Sequence, residues 1–214
     1  ARTNDVASNA EVRIHSLGTT YNNPKLSLYS DYPNDRNWQL TTAVSALGDF
    51  HIRVSDAAGG NPFSAGSSKL VITNDGNVGI GTTGPSSKLD VTTAGLGTTQ
   101  TTTSGLALVN TTAAAAGAQQ ISPAVRWSGF GWKTDATAAS QAVDFRSYVV
   151  PVEGAAAPTG YLTFQSSVGG AAYGDKMVIT TGGNVGIGTT GPGFPLDIQA
   201  ATSALRVKST TLTN

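Results

Sequence analysis

The stretch GNVGIGTTGP decides how this chain is built, because it occurs at residues 76–85 and again at residues 183–192. The repeat extends without a gap on both sides, so that residues 69–91 align with residues 176–198, and 16 of the 23 aligned pairs are identical. A repeat at a fixed offset of 107 positions indicates two similar units in series. Arrays of this kind build length or display a surface more often than they form one catalytic pocket.

The repeated stretch has the pattern of a turn followed by a short strand. Asp75-Gly76 in the first copy and Gly182-Gly183 in the second are pairs typical of tight hairpins, in which positive φ is needed. The next strand alternates valine or isoleucine with glycine, and a face made only of glycine predicts close approach by another backbone, here of another chain. The residues that we expect to form this assembly motif are Gly76, Asn77, Val78, Gly79, Ile80, Gly81 and Pro85, and Gly183, Asn184, Val185, Gly186, Ile187, Gly188 and Pro192.

Short runs that alternate apolar with polar residues, bounded by Gly, Pro, Asn or Asp, occupy most of the chain and predict β-strands. The 26 glycines and the scarcity of glutamate disfavour helices, and only residues 111–120 could form one or two helical turns. We therefore predict an all-β fold of elongated tandem units, each a sandwich, barrel or prism. The apolar positions of the predicted strands are Val12 and Ile14, Leu26 and Leu28, Trp38 and Leu40, Phe50 to Val54, Leu70 to Ile72, Leu89 and Val91, Leu106 and Leu108, Val125 and Trp127, Val143 and Phe145, Tyr148 and Val150, Tyr161 to Phe164, and Leu196 and Ile198.

The repeat also predicts the domain organisation. Residues 1–91 form the first β unit, residues 92–104 a Thr/Gly-rich connector, and residues 105–198 the second unit. Residues 199–214 would begin a third unit or supply a strand to a neighbouring subunit, because Leu-Arg-Val-Lys-Ser at residues 205–209 resembles Val-Arg-Ile-His-Ser at residues 12–16.

Composition argues against several classes of function. The 13 basic and 13 acidic residues balance, so the chain has no excess of positive charge that would favour binding to nucleic acid or to an anionic membrane surface. It contains no cysteine, which excludes disulfides and thiolate metal sites. No apolar run approaches the ~20 residues of a membrane-spanning helix, so membrane insertion is not expected.

Residues that could carry chemistry are few. His15 and His51 occupy the outward positions of alternating strands, where we expect them to be solvated rather than catalytic. Residues 79–84 match the G-x-G-x-x-G fingerprint, but a proline and another short strand follow instead of a helix, so a nucleotide site is rejected. We predict no catalytic residue, no cofactor and no metal site.

Two minor alternatives stay open at this point. The oxygens of Asn74, Asp75 and Asn77 could bind Ca²⁺, although the spacing of known calcium loops is absent and turn formation explains these residues better. Asp31 and Asp35 lie close in sequence and could form a glycosidase pair, although solvated loop residues are the simpler interpretation.

The densest aromatic cluster is Trp127, Phe130 and Trp132. Alternation places Trp127 on one face and Trp132 beyond a flexible, glycine-containing bend. We expect these side chains to pack in the core or between chains, or alternatively to form a platform for a sugar or another cell-surface ligand.

The motif followed by Leu-Asp-Val at residues 89–91 resembles the repeat of bacteriophage tail-fibre and tail-spike-type proteins. The patterns Trp38-x-Leu40 and Gly48-Asp49-Phe50-x-Ile52 upstream of the motif strengthen the resemblance. It implies an intertwined homotrimeric fibre of the virion, exposed outside the host cell, and it implies no chemistry.

The expected function is therefore a structural, non-enzymatic fibre segment that spaces or presents a host-receptor-binding element. Its expected partners are itself and a glycan or protein of the host surface. The alternative is a subunit of a homopolymeric extracellular filament, in which residues 204–208 pair with a neighbour's sheet by strand addition.

Overall fold

The structure, a computed structural model, describes residues 24–30, 32, 34–98 and 105–200. These residues contain twelve β-strands and no helix, which confirms the all-β prediction. Contacts between Cα atoms divide the chain into two compact units, Ala1–Leu106 and Ala107–Asn214. Nothing in the structure tests the domain limits predicted above, and the strand at residues 12–16 and the third unit from residue 201 onward lie outside the described residues.

The first unit holds one six-stranded sheet whose strands follow chain order. Neighbouring strands are antiparallel from β1 to β5, and only β5 and β6 are parallel. The strands are β1 (Lys25–Leu28), β2 (Trp38–Thr42), β3 (Phe50–Ser55), β4 (Gly66–Ile72), β5 (Val78–Ile80) and β6 (Leu89–Val91).

The second unit repeats this topology in a second six-stranded sheet, in which only the last two strands are parallel. Its first strands are longer than those of the first unit. For example, β8 has 14 residues, whereas β2, at the corresponding place in the first sheet, has five. The strands are β7 (Val125–Lys133), β8 (Ala139–Val152), β9 (Thr159–Val168), β10 (Gly174–Thr180), β11 (Val185–Ile187) and β12 (Leu196–Ile198).

Both sheets contain a β-bulge at the corresponding lysine, which bends the strand that leads into the motif. The register between β3 and β4 skips Lys69, and the register between β9 and β10 skips Lys176. The carbonyl of each lysine accepts a hydrogen bond from a motif glycine, Gly81 at 3.3 Å and Gly188 at 3.1 Å. The two copies of the motif therefore start from the same local backbone.

In each sheet most of the buried side chains are polar and lie on one face, and the apolar face is open. Among the described residues only Val54, Val71 and Val178 are buried hydrophobic residues, whereas 30 large apolar side chains are exposed. The usual antiparallel sheet buries its apolar face and solvates its polar one, so the described residues of the single chain form no conventional core. The buried polar residues are Asn37, Gln39, Thr41, Asp49, His51, Arg53 and Ser55 in the first unit, and Asp144, Thr163, Gln165 and Ser167 in the second.

Loops of the same chain cover the polar face of the first sheet. Ser45, in the loop between β2 and β3, donates to the Asp49 carboxylate (2.8 Å) and lies 3.2 Å from Nε2 of His51. Arg53 donates to the carbonyls of Phe63 and Gly66, which follow β3. These bonds satisfy polar groups that would otherwise be costly to bury.

The prediction that His51 is solvated is wrong, because its side chain is fully buried under these loops. Its Nδ1 lies 2.9 Å from Ser68 Oγ, and its Nε2 lies close to Ser45. Strand alternation placed His51 correctly on the polar face, but that face is covered. His15 lies outside the described residues.

We expect the burial of His51 to make the first unit sensitive to acid. Burial lowers the pKa of His51, and the neighbouring Arg53 also lowers it while Asp49 opposes the shift. The unfolded chain, with an ordinary histidine pKa of about 6.5, then binds more protons than the folded chain below that pH. The free energy of unfolding should therefore decrease as the pH falls through about 6.5.

Chemical denaturation of the wild-type chain and of His51→Gln between pH 7.5 and 5 checks this expectation. The glutamine variant keeps a polar side chain but does not titrate, so its stability should change less with pH. Every other titrating group is common to both proteins, and their difference therefore isolates His51. Parallel stability curves for the two proteins would contradict the expectation.

An Arg–Gln pair lies across neighbouring strands in both sheets, with the two residues exchanged. Gln39 in β2 lies opposite Arg53 in β3, and Arg146 in β8 lies opposite Gln165 in β9. In the second unit Arg146 Nε donates to Gln165 Oε1 at 2.7 Å. In the first unit the same two atoms, Gln39 Oε1 and Arg53 Nε, are buried without a hydrogen-bond partner among the described residues.

Three local expectations in the second unit are also wrong. Residues 111–120 form no helical turn, and a bridge between Ala115 and Ala118 closes a turn there instead. Residues 106–108 are not a strand, and the two strands expected within residues 143–150 are one continuous strand, β8. Weak local signals of this kind are decided by the neighbouring strands rather than by propensity.

Candidate assembly surface

The turn that opens the motif joins β4 to β5 as a hairpin with a glycine of positive φ. The Gly76 N–H donates to the Thr73 carbonyl (2.9 Å), and the Thr73 N–H donates to the Asn77 carbonyl (2.9 Å). Gly76 has φ 76°, and Gly183 has φ 84° at the corresponding position. The expected positive φ is therefore confirmed in both copies, and it explains glycine at these two positions.

The rest of the motif makes an unusually short connection between two parallel strands. Parallel neighbours commonly need a crossover of a dozen or more residues, but the loop from β5 to β6, residues 81–88, has only eight. The Val78 N–H donates to the Lys88 carbonyl and the Thr92 N–H to the Ile80 carbonyl, both at 2.9 Å. The motif is thus a compact elbow that returns the chain to the same sheet.

Gly79 and Gly186 lie where this elbow crosses the strand. A Cβ on Gly79 would lie 2.7 Å from the Thr82 carbonyl oxygen, and one on Gly186 would lie 2.5 Å from the Thr189 carbonyl oxygen. No side chain fits at either position unless the backbone moves.

Gly81 and Gly188 are more tightly constrained, because they combine positive φ with a close backbone contact. Their φ angles are 76° and 74°. A Cβ would lie 2.2 Å from the carbonyl oxygen of Thr92 at Gly81, and 2.2 Å from that of Gln199 at Gly188. The close approach expected from the glycines is thus present, but the approaching backbone belongs to the same chain rather than to another one.

Side chains cap the elbow with the same bonds in both copies. In the first copy Thr82 Oγ1 accepts from the Gly84 N–H (3.2 Å), and the Asp90 carboxylate accepts from the Ser86 N–H (3.0 Å). These bonds have counterparts at 3.2 Å and 2.9 Å in the second copy. The hydrogen bonds from Ser86 lower the pKa of Asp90, as expected for a carboxylate that accepts backbone donors.

Each sheet has an apolar face that no described residue covers, and we call each one an open face. The strand register places its residues in rows across the sheet, and none of them is charged. The open faces consist of Leu26, Leu28, Trp38, Leu40, Phe50, Ile52, Leu70, Ile72, Val78, Ile80, Leu89 and Val91 in the first unit, and Val125, Trp127, Val143, Phe145, Val149, Leu162, Phe164, Met177, Ile179, Val185, Ile187, Leu196 and Ile198 in the second.

The aromatic cluster is divided between the two faces of β7. The strand is continuous from Val125 to Lys133, so the expected flexible bend is absent. Trp127 lies opposite Phe145 and belongs to the open face. Phe130 and Trp132 share the other face and are 79% and 68% exposed. The predicted three-residue platform is therefore two separate aromatic surfaces.

The minor alternatives for chemistry find little support in the described residues. No group of three His, Asp or Glu side chains there could hold a metal ion. The backbone N–H of Asn74 donates to the Asp49 carboxylate (2.9 Å), which serves the fold of the loops. Asp31 lies outside the described residues, so the carboxylate pair with Asp35 is untested. None of the described segments is a helix of the length and apolarity needed to cross a membrane.

Comparison with known proteins adds no assignment, since neither the models of known protein families nor the curated proteins contain a match to this chain.

Sequence reasoning identified the residues of the open faces as the apolar positions of strands, but it did not show that the described chain leaves them uncovered. The available signal was the strict alternation of apolar residues on neighbouring strands, which shows that they share a face. The open faces and the motif elbow at their edge are the features that a function of this chain must explain.

Proposed function

We propose that this chain is a structural, non-enzymatic segment of a phage-type tail fibre or tail spike, which associates with identical chains and spaces or presents a host-receptor-binding element. It would belong to the virion and act outside the host cell. The observation that carries the proposal is the pair of open apolar faces. The resemblance of the motif and of residues 89–91 to tail-fibre repeats supports the class of protein.

The open faces require a partner on energetic grounds. Burial of one large apolar side chain stabilises a protein by roughly 1.5–3 kcal/mol, and monomeric proteins rarely expose apolar patches above about 600 Å². Each face here has a dozen or more large apolar residues, whereas Val54 and Val71 are the only buried hydrophobic residues in the described part of the first unit. A lone chain therefore gains little from folding, whereas association would supply the missing core.

A second copy of the same chain is the simplest partner. Both units have an uncharged apolar face, so identical chains related by rotation could cover one another's faces. Rotational closure would also protect the strand edges, which otherwise invite aggregation. The number three comes from the resemblance to tail fibres.

The polar side chains support a structural role rather than catalysis. His51 is enclosed by Ser45 and Ser68. Asp144 accepts two hydrogen bonds of 3.0 Å from Arg126. The hydrogen bonds of His51 and Asp144 therefore stabilise the packing of neighbouring strands and loops.

Phe130 and Trp132 are the residues that we propose for contact with a host glycan or protein. They lie on the face of β7 opposite the open face, so self-association through the open faces would leave them accessible. Exposed aromatic side chains near a loop are typical of binding surfaces. Their side chains are also the most exposed aromatic pair on a described strand.

The mass of the chain in solution tests the proposal. Multi-angle light scattering at micromolar concentration should give three times the chain mass of 21.7 kDa, and the mass should persist on dilution. Open-ended polymers would instead favour the extracellular filament assembled by strand addition. A stable, fully folded monomer would refute self-association.

A further inference from the structure

A cleft in the second unit contains an arginine that is held rigidly by its neighbours. Arg146 and Tyr148 of β8 line this cleft together with residues 109–111 and 121–124. Arg146 Nε donates to Gln165 Oε1 (2.7 Å), and Gln165 in turn donates to the Asp175 carboxylate (2.9 Å). The guanidinium also stacks on aromatic rings, with its Cζ 3.9 Å from the ring centre of Tyr173 and 5.1 Å from that of Tyr148.

The outer edge of this guanidinium has no hydrogen-bond partner among the residues that the structure describes. Within the described residues, Nε makes the only hydrogen bond of Arg146, so both Nη groups are free. Arg126 lies directly opposite on β7, and the Asp144 carboxylate pairs with Arg126 at 3.0 Å. Two arginines therefore face each other across neighbouring strands, and of these two the Asp144 carboxylate is bonded to Arg126 alone, an arrangement that an added anion would relieve.

The first unit shows that the fold does not require this arginine. The register places Gln39 at the position of Arg146 and Ser27 at the position of Arg126. Thr41 stands where the second unit has Tyr148. The first unit carries the arginine of the Arg–Gln pair on the next strand, at Arg53, so only the second arginine and the tyrosine ring are additions of the second unit, and they point to a use beyond the stability of the sheet.

We propose that this cleft binds the carboxylate of an acidic sugar. The carboxylate would accept paired hydrogen bonds from the two Nη groups of Arg146, the geometry in which a preorganised guanidinium is most selective. The ring of the sugar would lie against Tyr148, which offers an apolar face beside the charge. This inference goes beyond the structural role and does not depend on how many chains associate.

Titration of the intact, assembled chain with sodium glucuronate, followed calorimetrically, tests the proposal, with glucose and propionate as separate titrants. We expect glucuronate to bind, glucose to bind at least about tenfold more weakly, and propionate also more weakly than glucuronate. The variant Arg146→Lys keeps the positive charge but loses the paired N–H donors of the guanidinium, and it should weaken glucuronate binding about tenfold or more. The variant Arg146→Gln, which copies Gln39 of the first unit, should abolish it.

Circular dichroism and the mass of each variant establish that it remains folded and assembled. Equal binding of glucose and glucuronate, or unchanged binding in either folded variant, would overturn the carboxylate site. Equal binding of propionate and glucuronate would refute the contribution of the sugar ring to binding and would leave a site for simple carboxylate anions. Absence of glucuronate binding to the wild-type chain would overturn the whole inference, while the proposed fibre role would be judged separately by the mass.

Discussion

Valine in place of Gly81 is expected to destabilise the first unit by about 3 kcal/mol or more. A Cβ at this position would lie 2.2 Å from the Thr92 carbonyl oxygen, and the residue has φ 76°. The left-handed conformation costs roughly 1–2 kcal/mol for a residue with a Cβ, and overpacking against a rigid backbone adds roughly 1–3 kcal/mol. A domain is stable by only about 5–15 kcal/mol, so this loss is a large fraction. Denaturant unfolding of the variant and of the wild-type chain measures this decrease in the free energy of unfolding.

Alanine substitutions at four glycines of the motif separate the two causes. Gly76 has positive φ but open space around its Cβ position, whereas Gly79 has a backbone contact without positive φ. Gly81 has both constraints, and Gly84 has neither. The loss of stability should therefore be largest for Gly81→Ala, intermediate for Gly76→Ala and Gly79→Ala, and close to zero for Gly84→Ala.

The second copy of the motif repeats this experiment independently. Gly183, Gly186, Gly188 and Gly191 show the same four combinations of φ and contact. The same order of effects is expected there. If Gly81→Val or Gly188→Val were as stable as the wild-type chain, the elbow geometry would be wrong.

Aspartate in place of Ile80 or Ile187 is expected to prevent self-association. These two side chains are 43% and 40% exposed on the open faces, so a single folded chain could keep a carboxylate hydrated there. A partner that covers the face would bury the charge unpaired, at a cost of several kcal/mol. Because each 1.4 kcal/mol changes an equilibrium constant tenfold, the concentration at which half of the chains assemble should rise at least about 100-fold.

Light scattering over a dilution series measures this shift. Thr83→Asp is the matched control, because it adds the same charge on the exposed elbow away from the open face. The control should assemble like the wild-type chain. Normal assembly of both Ile80→Asp and Ile187→Asp would show that the open faces are not the contact between copies.

Much of the secondary structure could be predicted because it depends on local chemistry. The alternation of apolar and polar residues with a period of two predicts most of the twelve strands, and within the motif it places Val78 and Ile80 on one face. The Asp-Gly and Gly-Gly pairs predicted the positive φ of Gly76 and Gly183, since only glycine adopts that conformation without strain.

Prediction from local sequence was wrong where contacts with residues distant in the chain determine burial or strand continuity. Alternation shows that two faces of a strand differ, but it does not show which face the rest of the chain covers. His51 was expected in solvent, and it is buried because the loops before and after β3 fold over the polar side. The aromatic cluster was expected to bend at its glycines, and β7 is straight because nine residues pair with β8.

The sequence by itself determined the all-β class, the repeated elbow and the need for glycine within it, because these follow from strand periodicity and from steric limits on φ. Only the tertiary structure decided that each sheet buries its polar face and leaves its apolar face open. That outcome depends on hydrogen bonds between residues far apart in the chain, such as those of Arg53 with the carbonyls beyond β3. Only the tertiary structure placed Arg146 between two tyrosines, because strand register and loop packing, rather than local spacing, bring those rings together.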